Sequence, residues 1–278
     1  MTKGEGAGLK DRRLGRTGRM VSELGLGAMD TPTSDRGSDA LQSAIDSGIT
    51  FIDTAREYAG SEMLIGQVLR EMQIPPNLCL ASKTFSRTAN GSQYDIDRSL
   101  KTLGCDCISL YQLHDVSTLE AWEAVMNAGG ALEGLQAARE RGVIENIGIS
   151  SHTAEVLRMA ITCGEFDTVM LEYSAFYPVT APLIDLAAEH DVGVIVMRPV
   201  GGSGRASAMR GRIAEGYDGP LTPANLLRYV WSNSAVSVAI PGARYPSRIN
   251  ENVATARERR PMDSTERLTL EAEASRLY

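Results

Sequence analysis

The chain has 278 residues, 43% of them hydrophobic and 23% charged, with 28 Lys and Arg against 35 Asp and Glu for a net charge of −7. That acidic balance argues against general affinity for DNA, RNA or an anionic membrane surface, and leaves only a local basic pocket as a home for a phosphate. A composition this ordinary buries a sizeable core without disulfides or a structural metal.

From Met1 to Gly8 the chain is polar and Gly-rich, with no apolar stretch of the kind a signal peptide needs, so residues 1–8 are expected to be a flexible tail. The longest apolar runs, such as Val192 to Met197, are far too short to span a bilayer. A cytoplasmic protein without membrane or nucleic-acid partners is expected. The four cysteines, Cys79, Cys105, Cys107 and Cys163, lack metal-site spacing and read as buried free thiols in a reducing compartment.

Taken in chain order, Arg12 to Gly18 and Met20 to Glu23 predict a small hairpin around an Arg-Thr-Gly turn. Short apolar runs then predict eight buried strands. They are Leu24 to Ala28, Thr50 to Asp53, Leu78 to Lys83, Asp106 to His114, Ile144 to Ser150, Thr168 to Tyr173, Val192 to Met197 and Ala235 to Ile240. Helix signals lie between them. Ala40, Leu41, Ala44 and Ile45 share a face ahead of Gly48. Ser92 with Asp95 resembles a capping box before the stripe Ile96, Leu100 and Leu103, which Gly104 stops. Val156, Leu157, Ala160 and Ile161 repeat the pattern, and Thr222-Pro223 opens another helix.

Eight strands alternating with helices predict an α/β fold, a (β/α)8 TIM barrel with an N-terminal β-hairpin and a C-terminal helix, as a single domain over 1–278; such barrels run to about 250 residues as one domain. A doubly wound open sheet is the alternative, but Gly25 and Gly27 lack the third glycine of its phosphate-binding turn.

In a barrel, chemistry gathers at the C-terminal ends of the strands. Asp53 ends the second strand, Tyr58 follows in the same loop, Lys83 ends the third and His114 the fourth. Taken singly, each has an ordinary role as a cap, a loop aromatic or a solvated charge. Taken together, at consecutive strand ends, they predict one site. A phenol with an ordinary pKa near 10 exchanges protons poorly at neutral pH, and a neighbouring ammonium draws that pKa down. Lys83 is expected to do this for Tyr58, with Asp53 holding the lysine and His114 orienting a carbonyl oxygen. Proton delivery to an oxygen that gains negative charge is the chemistry such a set serves.

The run from Phe51 to Glu62, Phe-Ile-Asp-Thr-Ala-Arg-Glu-Tyr-Ala-Gly-Ser-Glu, resembles a signature of the aldo-keto reductases. Lys83 in Ala81-Ser-Lys-Thr84 and His114 in Tyr111-Gln-Leu-His114 match the remaining positions of that family's tetrad. The likeness extends from Arg13 to Gly18, through Val21 to Gly27, to Ile240-Pro-Gly-Ala-Arg244 and Asn252. It implies the family's barrel and NADPH as cofactor, with NADH as the alternative. It also implies a small-molecule aldehyde, ketone or sugar carbonyl as substrate, with Tyr58 as acid in reduction and base in oxidation.

The resemblance further implies contacts with the cofactor. Ser150 and Ser151 match positions that bind the nicotinamide carboxamide, although a strand-end cap is an equally ordinary use of them. Arg248 and Asn252, four apart on one helix face, match the grip on the 2′-phosphate and the adenine, and Arg244 adds a second cation. Gly201 and Gly202, with Gly204 and Arg205, either admit the pyrophosphate to the backbone or form a flexible loop. Three positions depart from the family pattern: Met170 stands for a Gln, Arg198 for a stacking aromatic and Gly242 for a Lys. Other members share a similar stretch around Arg198.

No metal site is expected, because His190 should sit at the opposite end of the barrel from His114 and His152. A monomer or a weak homo-oligomer is expected. Two other functions stay open at this point: a cofactor-binding regulatory protein of the same fold, and a non-redox lyase or isomerase reusing the tetrad.

Overall fold

The computed structural model describes residues 8–72, 74–258 and 260–277. But for Gly8, the tail expected over 1–8 lies outside the described residues. In order, the elements are β1 (Asp11–Arg13), β2 (Met20–Ser22), β3 (Leu26–Gly27), α1 (Asp35–Asp46), β4 (Phe51–Asp53), α2 (Ser61–Glu71) and β5 (Cys79–Thr84). Next come α3 (Ala89–Leu103), β6 (Ile108–Leu113), α4 (Leu119–Met126), α5 (Ala131–Glu140), β7 (Ile144–Ser150), α6 (Ala154–Thr162) and β8 (Thr168–Glu172). The chain continues with α7 (Ala181–Glu189), β9 (Gly193–Met197), α8 (Gly202–Ala214), α9 (Pro223–Ser232), β10 (Val238–Ala239), α10 (Pro246–Glu258) and α11 (Ser264–Ser275).

Strands β3 to β10 pair in parallel in chain order. Parallel bridges from Leu24 to Ala239 and from Gly27 to Gly242 join the two edges, so the sheet closes as a (β/α)8 barrel. The open doubly wound alternative is thereby ruled out.

Side-chain alternation along each strand separates two cores. Phe51, Ala81, Leu110, Met170, Ile195 and Val238 fill the barrel's inside. Their neighbours Ile52, Leu80, Tyr111, Val169, Val194 and Ala239 pack outward under the helices.

The hairpin forms as expected, with Arg12 opposite Val21, and its Leu14 and Val21 join the inner core. The approach is close: a Cβ on Gly15, whose φ is +49°, would lie 2.0 Å from the Gly193 nitrogen. Glycine is what allows the turn to lie against the start of β9.

Three local expectations are corrected. The N-cap of α3 is Thr88, whose hydroxyl accepts from the Gly91 N–H at 3.2 Å, and not Ser92. Ser92 instead donates to the Ala131 carbonyl at 3.1 Å, while Asp95 accepts from Thr84, so neither is available to cap. The flexible loop offered as one reading of Gly201 to Arg205 is helical from Gly202 onward, because Ala206 and Met209 bury one stripe of α8. Of the free cysteines only Cys79 is fully buried; Cys163, in the C-cap position after α6, is exposed.

Candidate active site

Asp53 and Lys83 end neighbouring strands and both point into the barrel mouth, because Ile52 and Ser82 take the outward positions. Lys83 is 1% exposed, and its ammonium donates 2.6 Å to Asp53 Oδ2, 2.7 Å to the Thr54 carbonyl and 3.3 Å to the Tyr58 hydroxyl. All three N–H donors are thus used. Asp53 Oδ1 accepts from Gln112 Nε2 at 3.1 Å, from two strands away. Gln112 was not singled out from sequence; its inward position on β6, two residues before His114, was the available signal.

The loop that carries Tyr58 is held firmly. Arg56 N–H donates to the Lys83 carbonyl at 3.1 Å, and its guanidinium pairs with the buried Glu62 at 2.6 Å. Glu62 in turn accepts from Ser82 at 2.6 Å. Burial foremost, then the charges of Asp53 and Glu57, push the Tyr58 phenol well above its ordinary range, with Arg198 opposing. The direction is opposite to the depression expected from Lys83, because the lysine's charge is matched by Asp53 at 2.6 Å while the phenol is removed from water. Burial likewise lowers the Lys83 pKa, against the pull of Asp53.

His114 follows β6. Its Nδ1 lies 3.0 Å from Glu57 Oε2, its ring stacks on Phe85 with centroids 4.2 Å apart, and the Tyr58 ring meets it edge-on at 5.5 Å. Arg87 donates to the carbonyls of His114 and Asp115 at 3.0 and 2.9 Å. These contacts secure Asp115 at φ 51°, a left-handed conformation unusual for a residue with a Cβ. Glu57, Phe85 and Arg87 were all missed, since nothing in their spacing ties them to His114.

At the end of the neighbouring β7, Ser150 Oγ accepts from the Asp115 N–H at 2.9 Å and Ser151 Oγ from the Thr153 N–H at 3.1 Å. Ser151 lines a cavity of about 280 Å³ with His152, Glu172, Tyr177 and Arg198. Met170 is packed into the inner core at 2% exposure. At the end of β9 it is Met197 that packs against the inner core, whereas Arg198, at φ 51°, reaches Glu172 at 3.0 Å. Arg205 grips the other oxygen of Glu172 at 2.9 Å. Gly201 and Gly202 have φ of +90° and +73°, and a Cβ on Gly201 would lie 2.6 Å from the Phe176 ring.

Beyond β10, Arg244 pairs with Asp30 at 3.4 Å and Arg248 with Glu251 at 2.6 Å, while Asn252 lies one turn further along α10. A third guanidinium, Arg210 of α8, was missed from sequence. Burial foremost, then the charge of Arg248, with a smaller part from Arg244, lower its pKa against the pull of Glu251. His190, at the end of α7, is on the other end of the barrel, where its carbonyl accepts from Arg16.

The model of the aldo/keto reductase family matches residues 23–269, and the chain belongs to that family. It is an NAD(P)H-dependent oxidoreductase on this footing. An uncharacterized oxidoreductase of Bacillus subtilis, YqkF, is 25% identical, with 91% of this chain and 92% of that protein aligned. The aldo-keto reductase yakc [NADP(+)] of Schizosaccharomyces pombe is 29% identical over 64% of this chain; the aligned part is 56% of yakc. Among solved structures, the holo form of aldo-keto reductase AKR11C1 from Bacillus halodurans superposes with a TM-score of 0.79 at 25% identity, covering 95% of this chain and 96% of that one. An aldo/keto reductase from Brucella melitensis, at 21% identity, has the same fold, with a TM-score of 0.74 over 97% of this chain and all of its own.

Among the described residues no helix is long and apolar enough to cross a membrane.

Proposed function

We propose that this chain uses NADPH to reduce the carbonyl of a small aldehyde, ketone or sugar to an alcohol, with Tyr58 as proton donor. One observation carries the reading: the Tyr58 oxygen accepts from the buried Lys83 ammonium, which leaves the phenol's own hydrogen for a substrate. The raised pKa of the phenol keeps that hydrogen in place at neutral pH, the state a general acid requires.

The residues at the mouth suit a phosphorylated dinucleotide. The charges of Arg244 and Arg248 act on Arg210, a guanidinium suits a phosphate monoester, and Asn252 lies one turn beyond Arg248 on α10. The bracketed cofactor in the name of yakc agrees with NADPH over NADH. When bound, the reduced nicotinamide supplies a hydride to the carbonyl carbon. As the C–O π pair moves onto oxygen, Tyr58 releases its proton to that oxygen. The phenolate left behind is stabilised by Lys83, whose position is set by Asp53 and, through Asp53, by Gln112. His114, edge-on to Tyr58, orients the same oxygen.

Stopped-flow absorbance of bound NADPH, mixed with sugars, aliphatic aldehydes, aromatic aldehydes and dicarbonyls, tests this reading. Oxidation within the mixing record by at least one class is expected. A stable nicotinamide signal with every class would refute reduction of these carbonyls.

A further inference from the structure

We infer that Glu57 dictates which nitrogen of His114 carries a proton, and thereby makes reduction depend on the doubly protonated imidazole. The inference rests on the reading above, in which His114 meets the carbonyl oxygen.

A carboxylate only accepts hydrogen bonds, so at 3.0 Å from Glu57 Oε2 it is Nδ1 of His114 that carries hydrogen. The other carboxylate oxygen is fixed as well, accepting from the Phe85 N–H at 3.0 Å. Phe85 then covers one face of the imidazole, Tyr58 meets it edge-on, and Arg87 ties down the backbone carbonyl of His114. The ring is therefore held in one orientation.

A neutral imidazole holds one N–H and one lone pair. With the hydrogen on Nδ1, the neutral ring keeps only a lone pair at Nε2, the nitrogen that meets the carbonyl oxygen in the reading above, and that lone pair repels an oxygen that is gaining negative charge. Nε2 donates to that oxygen only when the ring holds both protons. Glu57 is accordingly a positioning residue acting through His114.

Burial opposes the charge of Glu57, but the bonds from His114 and from the Phe85 N–H outweigh it and lower its pKa, so it is a carboxylate at neutral pH. Other titratable or charged groups face this region: Tyr58 from the same loop, Asp53 and Lys83 from β4 and β5, Arg87 ahead of α3, Asp115 next in sequence, His152 after β7, and Arg198 after β9, whose charge acts on Tyr58 and His152. Among the described residues, Glu57 is the one hydrogen-bonded to a ring nitrogen.

The test uses the full chain labelled with ¹⁵N-histidine. The three histidines are told apart with His114→Asn, and kcat for NADPH-driven reduction of 4-nitrobenzaldehyde is followed against pH. The neutral ring of the wild type is expected to carry its hydrogen on Nδ1. Its kcat should fall about tenfold per pH unit above the His114 midpoint read by NMR, with KM for NADPH unchanged. In Glu57→Ala the neutral ring should shift its hydrogen to Nε2 and the fall in kcat should flatten. Should that variant not fold, the two wild-type measurements decide alone. Hydrogen on Nε2 in the wild type, or a kcat indifferent to the His114 midpoint, overturns the inference. An Nδ1–H ring in a protein that oxidises NADPH with no carbonyl leaves the pairing intact and refutes the proposed activity instead.

Discussion

On the β4 to β6 side of the barrel mouth, Asp53, Lys83 and Gln112 are at most 2% exposed, and the Asp53 carboxylate accepts from both Lys83 and Gln112, while Gln112 Oε1 has no hydrogen-bond partner among the described residues. On the β9 to β10 side, Arg198, Arg244 and Arg248 expose 52%, 58% and 38% of their side chains, and each leans on a carboxylate of its own chain. The first set is part of the folded core: its charges are weakly screened, and none can be removed without leaving a partner stranded. The second set is exchangeable, because exposed ion pairs contribute little and yield to a competing anion. The side proposed to deliver the proton is thus built with the fold, and the side proposed to face the cofactor's phosphate is held by exposed, exchangeable pairs.

Loss of the Lys83 charge should have the largest effect. Lys83→Met should lower kcat by roughly 10²–10⁴, the range typical of general acid–base catalysis. It should also cost about 3–5 kcal/mol of stability in urea unfolding, because Asp53 keeps its burial and loses its counter-charge. Replacing both members with apolar residues should recover part of the stability and none of the rate.

The next effect is on titration. At pH 10 an ordinary tyrosine is half ionised, but the Tyr58 pKa is raised, so the fully protonated phenol should persist through that pH. The phenolate absorbance of wild type minus Tyr58→Phe measures it. Since the Asp53 charge adds to the rise, Asp53→Asn should bring the titration down.

At the rim the effects are smaller. Arg248→Ala should weaken NADPH about tenfold, or about 1.4 kcal/mol, in a fluorescence titration, with NADH unchanged and the preference eroding in high salt. Asp30→Asn, which relaxes a competitor for Arg244, should tighten NADPH by about twofold.

The barrel was legible because buried parallel strands write themselves as short apolar runs, and because their C-terminal ends meet in space. Asp53, Lys83 and His114 could be placed at one mouth from strand ends alone, and the structure brings them together with Tyr58. What escaped notice depends on side-chain geometry and not on periodicity. Glu57 reaches His114 across 57 positions of sequence, and Gln112 reaches Asp53 across 59. Arg210 feels the charge of Arg248 from α8, whose glycine-rich start reads as a loop but folds into a helix. The Tyr58 pKa moves against what a neighbouring ammonium alone implies, because burial and the charges of Asp53 and Glu57 raise it. The cap of α3 was misplaced for a similar reason: Ser92 and Asp95 have the right spacing, but their oxygens are engaged elsewhere.

The central claim, a phenol that hands its hydrogen to substrate while the buried lysine receives the charge left behind, meets its most direct test in single turnover with Tyr58→Phe. With NADPH bound as tightly as in the wild type, the account predicts that hydride transfer to 4-nitrobenzaldehyde slows by at least about a hundredfold. Transfer at an undiminished rate in that variant would contradict it.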